Sequence, residues 1–316
     1  VMSMRLKKYN IKSLILLYKI MSITNKSIWT TKIVLHRGWH RENNNDQTKP
    51  LENTRQAYIL AAKLNVAYAE CDVWETSDGK MVLCHSSSFK EMVKPNYLNN
   101  ANAIKPIDTL SWNDIKVFEL LDGSNPVLLS TVMTDLKETN TRLAIDLKCS
   151  NLAKPLALFL FRYPELISTI GFIMGFALDS GALFRENLPD ITFLWLVDNP
   201  SSPYNVEDIL EGETTFNYLE QSVGDFLKNK PAFNAFDGMY IQYRPGLTSD
   251  HVLSMRLRLA DILGRHPTDV FIGLWSDSGL DPEFDFPGNL QKWESLFDAI
   301  NTDCFYMDTL ADVPDI

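Results

Sequence analysis

Two carboxylates, Glu70 and Asp72, lie two positions apart inside the β-rich run Ala69–Trp74. Side chains alternate along a strand, so Glu70 and Asp72 share one face and Cys71 takes the other. Two uncompensated carboxylates on a buried strand cost several kcal/mol each. A divalent cation offsets that cost, and an all-oxygen donor set favours a hard ion, Mg²⁺ or Ca²⁺. Asp146, in the apolar run Leu143–Leu147, supplies a third oxygen. Lys148 shares its face and suits an anion that the metal also holds. His36 and His85 each end a β-rich run and are suited to proton transfer. Arg37 is suited to bidentate phosphate recognition. A metal, two imidazoles, an arginine and a lysine together form a phosphodiester-cleaving constellation. The bland alternative makes Glu70 and Asp72 an ion-pair cluster with Arg37 and Lys148, which leaves the two histidines without a purpose.

Those residues need elements that bring them together. Nine β-rich runs recur along the chain: Lys32–Leu35, Ala69–Trp74, Met81–Cys84, Leu143–Leu147, Ile170–Ala177, Thr192–Val197, Gly238–Gln242, Val270–Leu274 and Cys304–Met307. Helical spacing lies between them at Thr54–Leu64, His251–Leu263 and Leu290–Ile300. Continuous apolar strands alternating with helices predict an α/β fold with a parallel sheet. Asp78-Gly79 is a hairpin signal, so Ala69–Trp74 and Met81–His85 should pair antiparallel. The remaining eight runs then close a (β/α)8 TIM-type barrel, with a hairpin at about 69–85 and a small insertion after it. An open doubly wound sheet is the alternative. It lacks a Gly-x-Gly-x-x-Gly loop after the first strand.

Barrel chemistry collects at the C-terminal strand ends. His36-Arg37, Asp72, His85, Asp146, Lys148 and Trp275 all fall at such ends. A two-residue Asp78-Gly79 loop would set Asp72 directly opposite His85, with Cβ atoms roughly 4.5–5.5 Å apart. The same register puts Cys71 and Cys84 on the other face as a diagonal pair, too far apart for a comfortable disulfide. His40, His251 and His266 lack such company and are expected on the surface or in loops. Residues 86–140 read as an insertion near the mouth plus a helix, and Asp198–Gly212 reads as a loop.

The 316 residues are 45% hydrophobic and 22% charged, an ordinary globular composition. Acids outnumber bases 40 to 30. A net charge of −10 argues against nucleic-acid partners, which require a basic face. Residues 1–31 hold six bases and no acid. They are expected to form a poorly ordered leader, with a targeting or membrane-surface role as the alternative, before a barrel domain over residues 32–316. No run is long and apolar enough to span a membrane. Four cysteines without CxxC spacing point away from a disulfide framework or zinc site and favour a reducing, cytoplasmic setting. A secreted or membrane-associated setting through the leader is the other option.

Five short strings at these positions carry a resemblance. They are His36-Arg37-Gly38, Glu52-Asn53-Thr54 opening a helix, Glu70-x-Asp72-Val73, Thr76-x-Asp78-Gly79 and Val82-x-x-His85. Leu143-Ala-Ile-Asp146-Leu-Lys148 resumes the pattern, and Gly273-Leu-Trp275 echoes it faintly. In these the chain resembles the glycerophosphodiester phosphodiesterase family, within the phospholipase C-like phosphodiesterase superfamily. The resemblance implies hydrolysis of small-molecule glycerophosphodiesters to glycerol 3-phosphate and an alcohol, with one Mg²⁺ or Ca²⁺ ion bound. By that resemblance His36 and His85 look like the acid/base pair, and Glu70, Asp72 and Asp146 like the metal ligands. Arg37 and Lys148 look like phosphate binders. Trp275 lines the glycerol pocket or belongs to the core. Glu52 and Asn53 are supporting candidates, with Glu52 otherwise a partner for the helix dipole. Three departures stand out. Asp146 replaces the usual Glu, Ser86 replaces the usual Asp after the second histidine, and Trp39–Leu51 is a long connection. Asp146 keeps a sphingomyelinase D-like phospholipase as an alternative. A catalytically weak phosphate-ester-binding barrel is the other.

Overall fold

The computed structural model describes residues 33–40, 50–98, 102–175, 185–186, 188–197, 236–242, 249–275 and 304–307. Among the described residues nine strands form one sheet: β1 (Ile33–Leu35), β2 (Tyr68–Glu75), β3 (Met81–Leu83), β4 (Arg142–Leu147), β5 (Ile170–Gly175), β6 (Phe193–Val197), β7 (Gly238–Gln242), β8 (Phe271–Trp275) and β9 (Cys304–Met307). Every strand matches an expected run, with ends shifted by two residues at most. β1 pairs parallel with both β2 and β9, so eight parallel strands close into a barrel. β3 hangs on β2 as the antiparallel return of the hairpin.

Strand periodicity builds two different cores. The outward residues Ala69, Cys71 and Val73 of β2 and Leu143, Ile145 and Leu147 of β4 pack on helices. Those helices include α1 (Arg55–Lys63), α3 (Leu129–Leu136) and α4 (Ala153–Arg162). The barrel interior is filled by Val34, Ala144, Phe172, Met174, Leu194, Leu196 and Tyr240. α5 (Ser249–Leu263) precedes β8. The expected helix at Leu290–Ile300 and the loop at Asp198–Gly212 lie outside the described residues, as do residues 1–31.

The segment after the hairpin has a core of its own. Val82 and Cys84 pack there with Phe89, Met92, Ile107, Phe118 and Leu120, beside the short helix α2 (Trp112–Ile115). Among the described residues no helix is long and apolar enough to cross a membrane.

Two expectations about the hairpin need correction. Val73 pairs with Leu83 and Glu75 with Met81, a register shifted by one residue from the expected one. The connection is a three-residue loop, Ser77–Gly79, in which Gly79 takes the left-handed position at φ +74°. Thr76 closes it. Its N–H donates to the Lys80 carbonyl at 2.8 Å, and its hydroxyl donates to the Asp78 carboxylate at 2.6 Å. Asp72 therefore lies opposite Cys84, whose N–H donates to the Asp72 carbonyl at 3.1 Å. Cys71 and Cys84 do not share a face. Cys71 belongs to the core under the helices, and Cys84 to the core under the insertion.

Candidate active site

Inward positions near the C-terminal ends of β2 and β4 carry the site. Glu70 and Asp72 point into the barrel because Cys71 and Val73 are drawn to the helices. Parallel register sets Asp72 beside Asp146. Both Glu70 and Asp72 are only 1% exposed and Asp146 4%. Carboxylate oxygens of all three lie within 4.8 Å of one another.

The turn after β1 grips this cluster from above. Arg37 adopts φ +52° and Gly38 φ +79°. A Cβ on Gly38 would lie 2.9 Å from the Ala57 backbone, so the loop approaches α1 as closely as only glycine permits. This turn aims the Arg37 N–H at Glu70 Oε2, 2.9 Å away. The Arg37 side chain reaches Asp72 Oδ2 at 3.2 Å and Glu52 Oε2 at 2.6 Å. Glu52 is thus an arginine partner. α1 begins at Arg55 and holds no acid in its first turn, so the dipole role falls away.

Asn53 enters the same cluster. Its backbone sits at φ +54°, and its N–H donates to the Arg37 carbonyl at 3.1 Å. Its side-chain amide donates to Asp72 Oδ2 at 2.7 Å. Lys148 Nζ bridges Asp72 Oδ1 at 2.8 Å and Asp146 Oδ2 at 2.9 Å.

These partners divide the three carboxyl groups. Burial alone would raise Asp72, but Lys148 and Arg37 outweigh it and hold it down to about 2. Asp146 is pushed up to about 6, because burial exceeds the pull of Lys148. Glu70 is raised well above the usual carboxylate range by burial, then by Asp72 and Asp146. The two cations therefore satisfy one carboxylate of the three. The ion-pair alternative accounts for Asp72 and leaves Glu70 and Asp146 under-compensated. Asp146 Oδ1 is fully buried and has no hydrogen-bond partner. A buried carboxylate oxygen without a donor, in a ring of hard oxygens, fits a divalent cation.

Both expected histidines flank this ring. His36 follows β1 and is half-buried, and its charge bears on Asp72 and Asp146. His85 leaves the sheet just past β3. Asp72, Arg37, Lys148 and Glu52 all act on it electrostatically. Burial, with Arg37 and Lys148, outweighs Asp72 and pulls the His85 imidazole below its ordinary value. So His85 arrives at the site from the end of the hairpin and not as the partner of Asp72. Trp74 holds its backbone, with the indole N–H 3.5 Å from the His85 carbonyl. Ser86 turns away to Glu91 at 3.4 Å. Trp275 ends β8 beside Gln242, and its side chain lies outside the described residues.

Two residues near the site escaped the sequence. His40 lies in the loop after β1, one of its two expected settings, but is buried rather than on the surface, and its ring stands edge to face with His36 at 6.3 Å. His266 is exposed as expected, and the His251 side chain is not described. Tyr58 is the second. It is fully buried on α1, and its hydroxyl donates to Asn53 Oδ1 at 2.8 Å. A signal was present, since a phenol on a buried helix face must find a polar partner.

Residues 36–155 match the model of the glycerophosphoryl diester phosphodiesterase family. That segment, 120 of the 316 residues, is similar to the family. The matched segment contains every described candidate side chain from His36 to Lys148. Its enzyme class is that of the phosphoric diester hydrolases.

Solved structures agree on the fold at low identity. A protein from Galdieria sulphuraria assigned to the glycerophosphodiester phosphodiesterases is 17% identical, with TM-score 0.59 over 89% of this chain and 94% of that one. A glycerophosphodiester phosphodiesterase from Parabacteroides distasonis is 16% identical, with TM-score 0.55 over 89% and 93%. A phosphodiesterase from Oleispira antarctica, solved with its product sn-glycerol-3-phosphate, is 14% identical, with TM-score 0.52 over 89% and 94%.

Proposed function

We propose that the protein hydrolyses glycerophosphodiesters to glycerol 3-phosphate and an alcohol, with a Mg²⁺ or Ca²⁺ ion held by Glu70, Asp72 and Asp146. The buried carboxylate ring with the donor-less Asp146 Oδ1 carries this reading. The bound sn-glycerol-3-phosphate of the Oleispira antarctica relative supports the product assignment. When bound, the ion supplies positive charge to the phosphoryl oxygens as their charge grows.

The chain's own groups do the rest. Arg37 and Lys148 sit beside the ring and add positive charge next to the phosphate. One of His36 and His85 takes the proton of the attacking oxygen, and the other protonates the departing alkoxide. The attacking oxygen is the neighbouring glycerol hydroxyl, which benefits from proximity and gives a cyclic phosphate before water opens it. A vicinal hydroxyl is then a substrate requirement. In this reading the barrel domain is residues 32–316, and Trp275 is the candidate for lining the glycerol pocket.

Glycerophosphocholine and glycerophosphoethanolamine, assayed with and without a chelator, test the proposal. Turnover should require the divalent ion and fall steeply for a 2-deoxy glycerol analogue. Equal turnover of that analogue would remove the cyclic route and leave the hydrolase. Preference for sphingomyelin would favour the sphingomyelinase D-like alternative. The Arg37–Glu52 and Asn53–Asp72 contacts speak against it, because they employ the Arg-Gly and Glu-Asn-Thr strings. Changing Asp72 to Asn removes a charge at nearly constant shape, and unchanged metal stoichiometry in that variant would overturn the ligand set.

A further inference from the structure

Three buried polar groups form a chain that ends on the candidate metal site. The Tyr58 hydroxyl donates to Asn53 Oδ1 at 2.8 Å. The Asn53 amide nitrogen donates to Asp72 Oδ2 at 2.7 Å. The Asp72 backbone N–H returns to Asn53 Oδ1 at 3.3 Å. Asn53 is thus clamped between a helix side chain and both ends of one strand residue. It needs that clamp, because its backbone sits at φ +54°, a region that side-chain-bearing residues visit at a cost.

We propose that Tyr58 is a positioning residue for the divalent ion: through Asn53 it fixes the rotation of the Asp72 carboxylate and so sets metal affinity. This rests on the metal assignment above. The chemistry of the chain supports it. Asp72 Oδ1 is taken by Lys148 and Oδ2 by Asn53 and Arg37, so the carboxylate is held from both sides and cannot turn freely. A flipped Asn53 amide would lose both contacts to Asp72, from its N–H and to its carboxylate. The tyrosine hydroxyl holds the unflipped amide in place as the second donor to Oδ1. Asn53 then presents N–H to Asp72, the contact that favours the anion a cation requires. Burial, followed by the surrounding Cys71 thiol and carboxylates, keeps the phenol protonated and so a donor. A purely apolar ring would keep its place in the core beside Ala61 and remove one of the two donors that hold the amide.

Tyr58→Phe tests this in the full-length protein, with Mg²⁺ and separately Ca²⁺ titrated into metal-free enzyme by calorimetry. Loss of a partner behind a metal ligand lowers affinity by about 10–100-fold, and the lower end is expected, since the phenylalanine keeps the packing. Unchanged affinity for both ions would overturn the proposal. Asn53→Gly keeps the left-handed backbone at no steric cost and removes the link. If Tyr58 acts through Asn53, Tyr58→Phe has no further effect on affinity in the Asn53→Gly background. An undiminished effect there would overturn the route through Asn53, as would a fall in thermal midpoint without any change in affinity. Asp72→Asn, run beside them, separates the two levels. Lost binding in Asp72→Asn with intact binding in Tyr58→Phe refutes only the positioning role, whereas intact binding in both refutes the ligand set itself.

Discussion

Asp72 on β2, Asp146 on β4, Met174 on β5 and Leu194 on β6 are successive register partners around the barrel. One level of the interior thus passes from two carboxylates to a thioether to an isobutyl group. All four are buried, at 4% exposure or less. The level below changes in the same way, from Glu70 through Ala144 to Phe172. Identical geometry therefore serves two purposes. On the β5–β6 side the inward positions stabilise the fold by removing apolar surface from water. On the β2–β4 side they destabilise it, and Lys148 and Arg37 compensate only in part, which is the charge the proposed cation would offset. Stability and chemistry are separated by strand, not by depth.

The sharpest way to break this comparison is to alter one side at a time. His36→Ala and His85→Ala should each lose roughly 10²–10⁴-fold in turnover, the usual reach of acid/base catalysis. Metal affinity should survive in both, because neither imidazole is in the carboxylate ring. Near-wild-type turnover in both variants would favour a phosphate-ester-binding barrel. On the other side, Phe172→Ala should cost about 3–5 kcal/mol of stability by opening a cavity, read from denaturant unfolding. Turnover per folded molecule should hold, and its collapse would show that the apolar side shapes the site after all.

Acidity offers a second contrast, since only one side titrates. In the metal-free protein Asp146 is pushed up to about 6 and Glu70 is raised in the same direction. A carboxyl group that binds its proton more tightly when folded stabilises the fold at low pH and loses that contribution as pH rises through its folded value. The metal-free protein should therefore lose stability between about pH 4 and 6 through Asp146, and Glu70 prolongs the loss. Asp72, held down to about 2, acts oppositely, and its contribution disappears as pH falls toward that value. Cation binding must displace the protons on Glu70 and Asp146. Mg²⁺ should consequently raise the thermal midpoint more at pH 8 than at pH 5. Equal increments would place the ion away from both groups.

Much of this division was legible in the chain. β-rich runs separated by helical spacing give the barrel, and period two alone puts Glu70 and Asp72 on one face with Cys71 on the other. The hairpin register was misplaced by one residue. Asp-Gly signals a two-residue turn, but Thr76 and Asp78 close a three-residue loop through side-chain hydrogen bonds that a dipeptide signal does not carry. His85 still reached the site, because the strand ends at Leu83 and face alternation stops applying there. His40 and Tyr58 were missed for a different reason. Each acts through a contact made by chain folding, the first by a loop doubling back on His36 and the second by a helix residue five positions beyond Asn53. No local spacing distinguishes such residues from loop or core.

The smallest expected effect lies within the charged side itself. Asp72 and Asp146 are register partners with unequal surroundings. Asn53, Arg37 and Lys148 hold both oxygens of Asp72, whereas Asp146 is held only through Oδ2 by Lys148. Adding a methylene to Asp72 would break three contacts, while adding one to Asp146 lengthens a group whose Oδ1 has no donor to lose. The site around Asp146 is tight, so Asp146→Glu should cost about 1–3 kcal/mol from overpacking. Metal affinity and turnover should stay within about tenfold of wild type, and a rise is admissible if the longer arm meets the ion better. Asp72→Glu should weaken binding clearly more. Calorimetric titration of Mg²⁺ into both variants decides between them. If Asp146→Glu abolishes binding while Asp72→Glu spares it, then Asp146 is the constrained ligand and Asp72 the tolerant one, which reverses the order of the two strands in holding the ion.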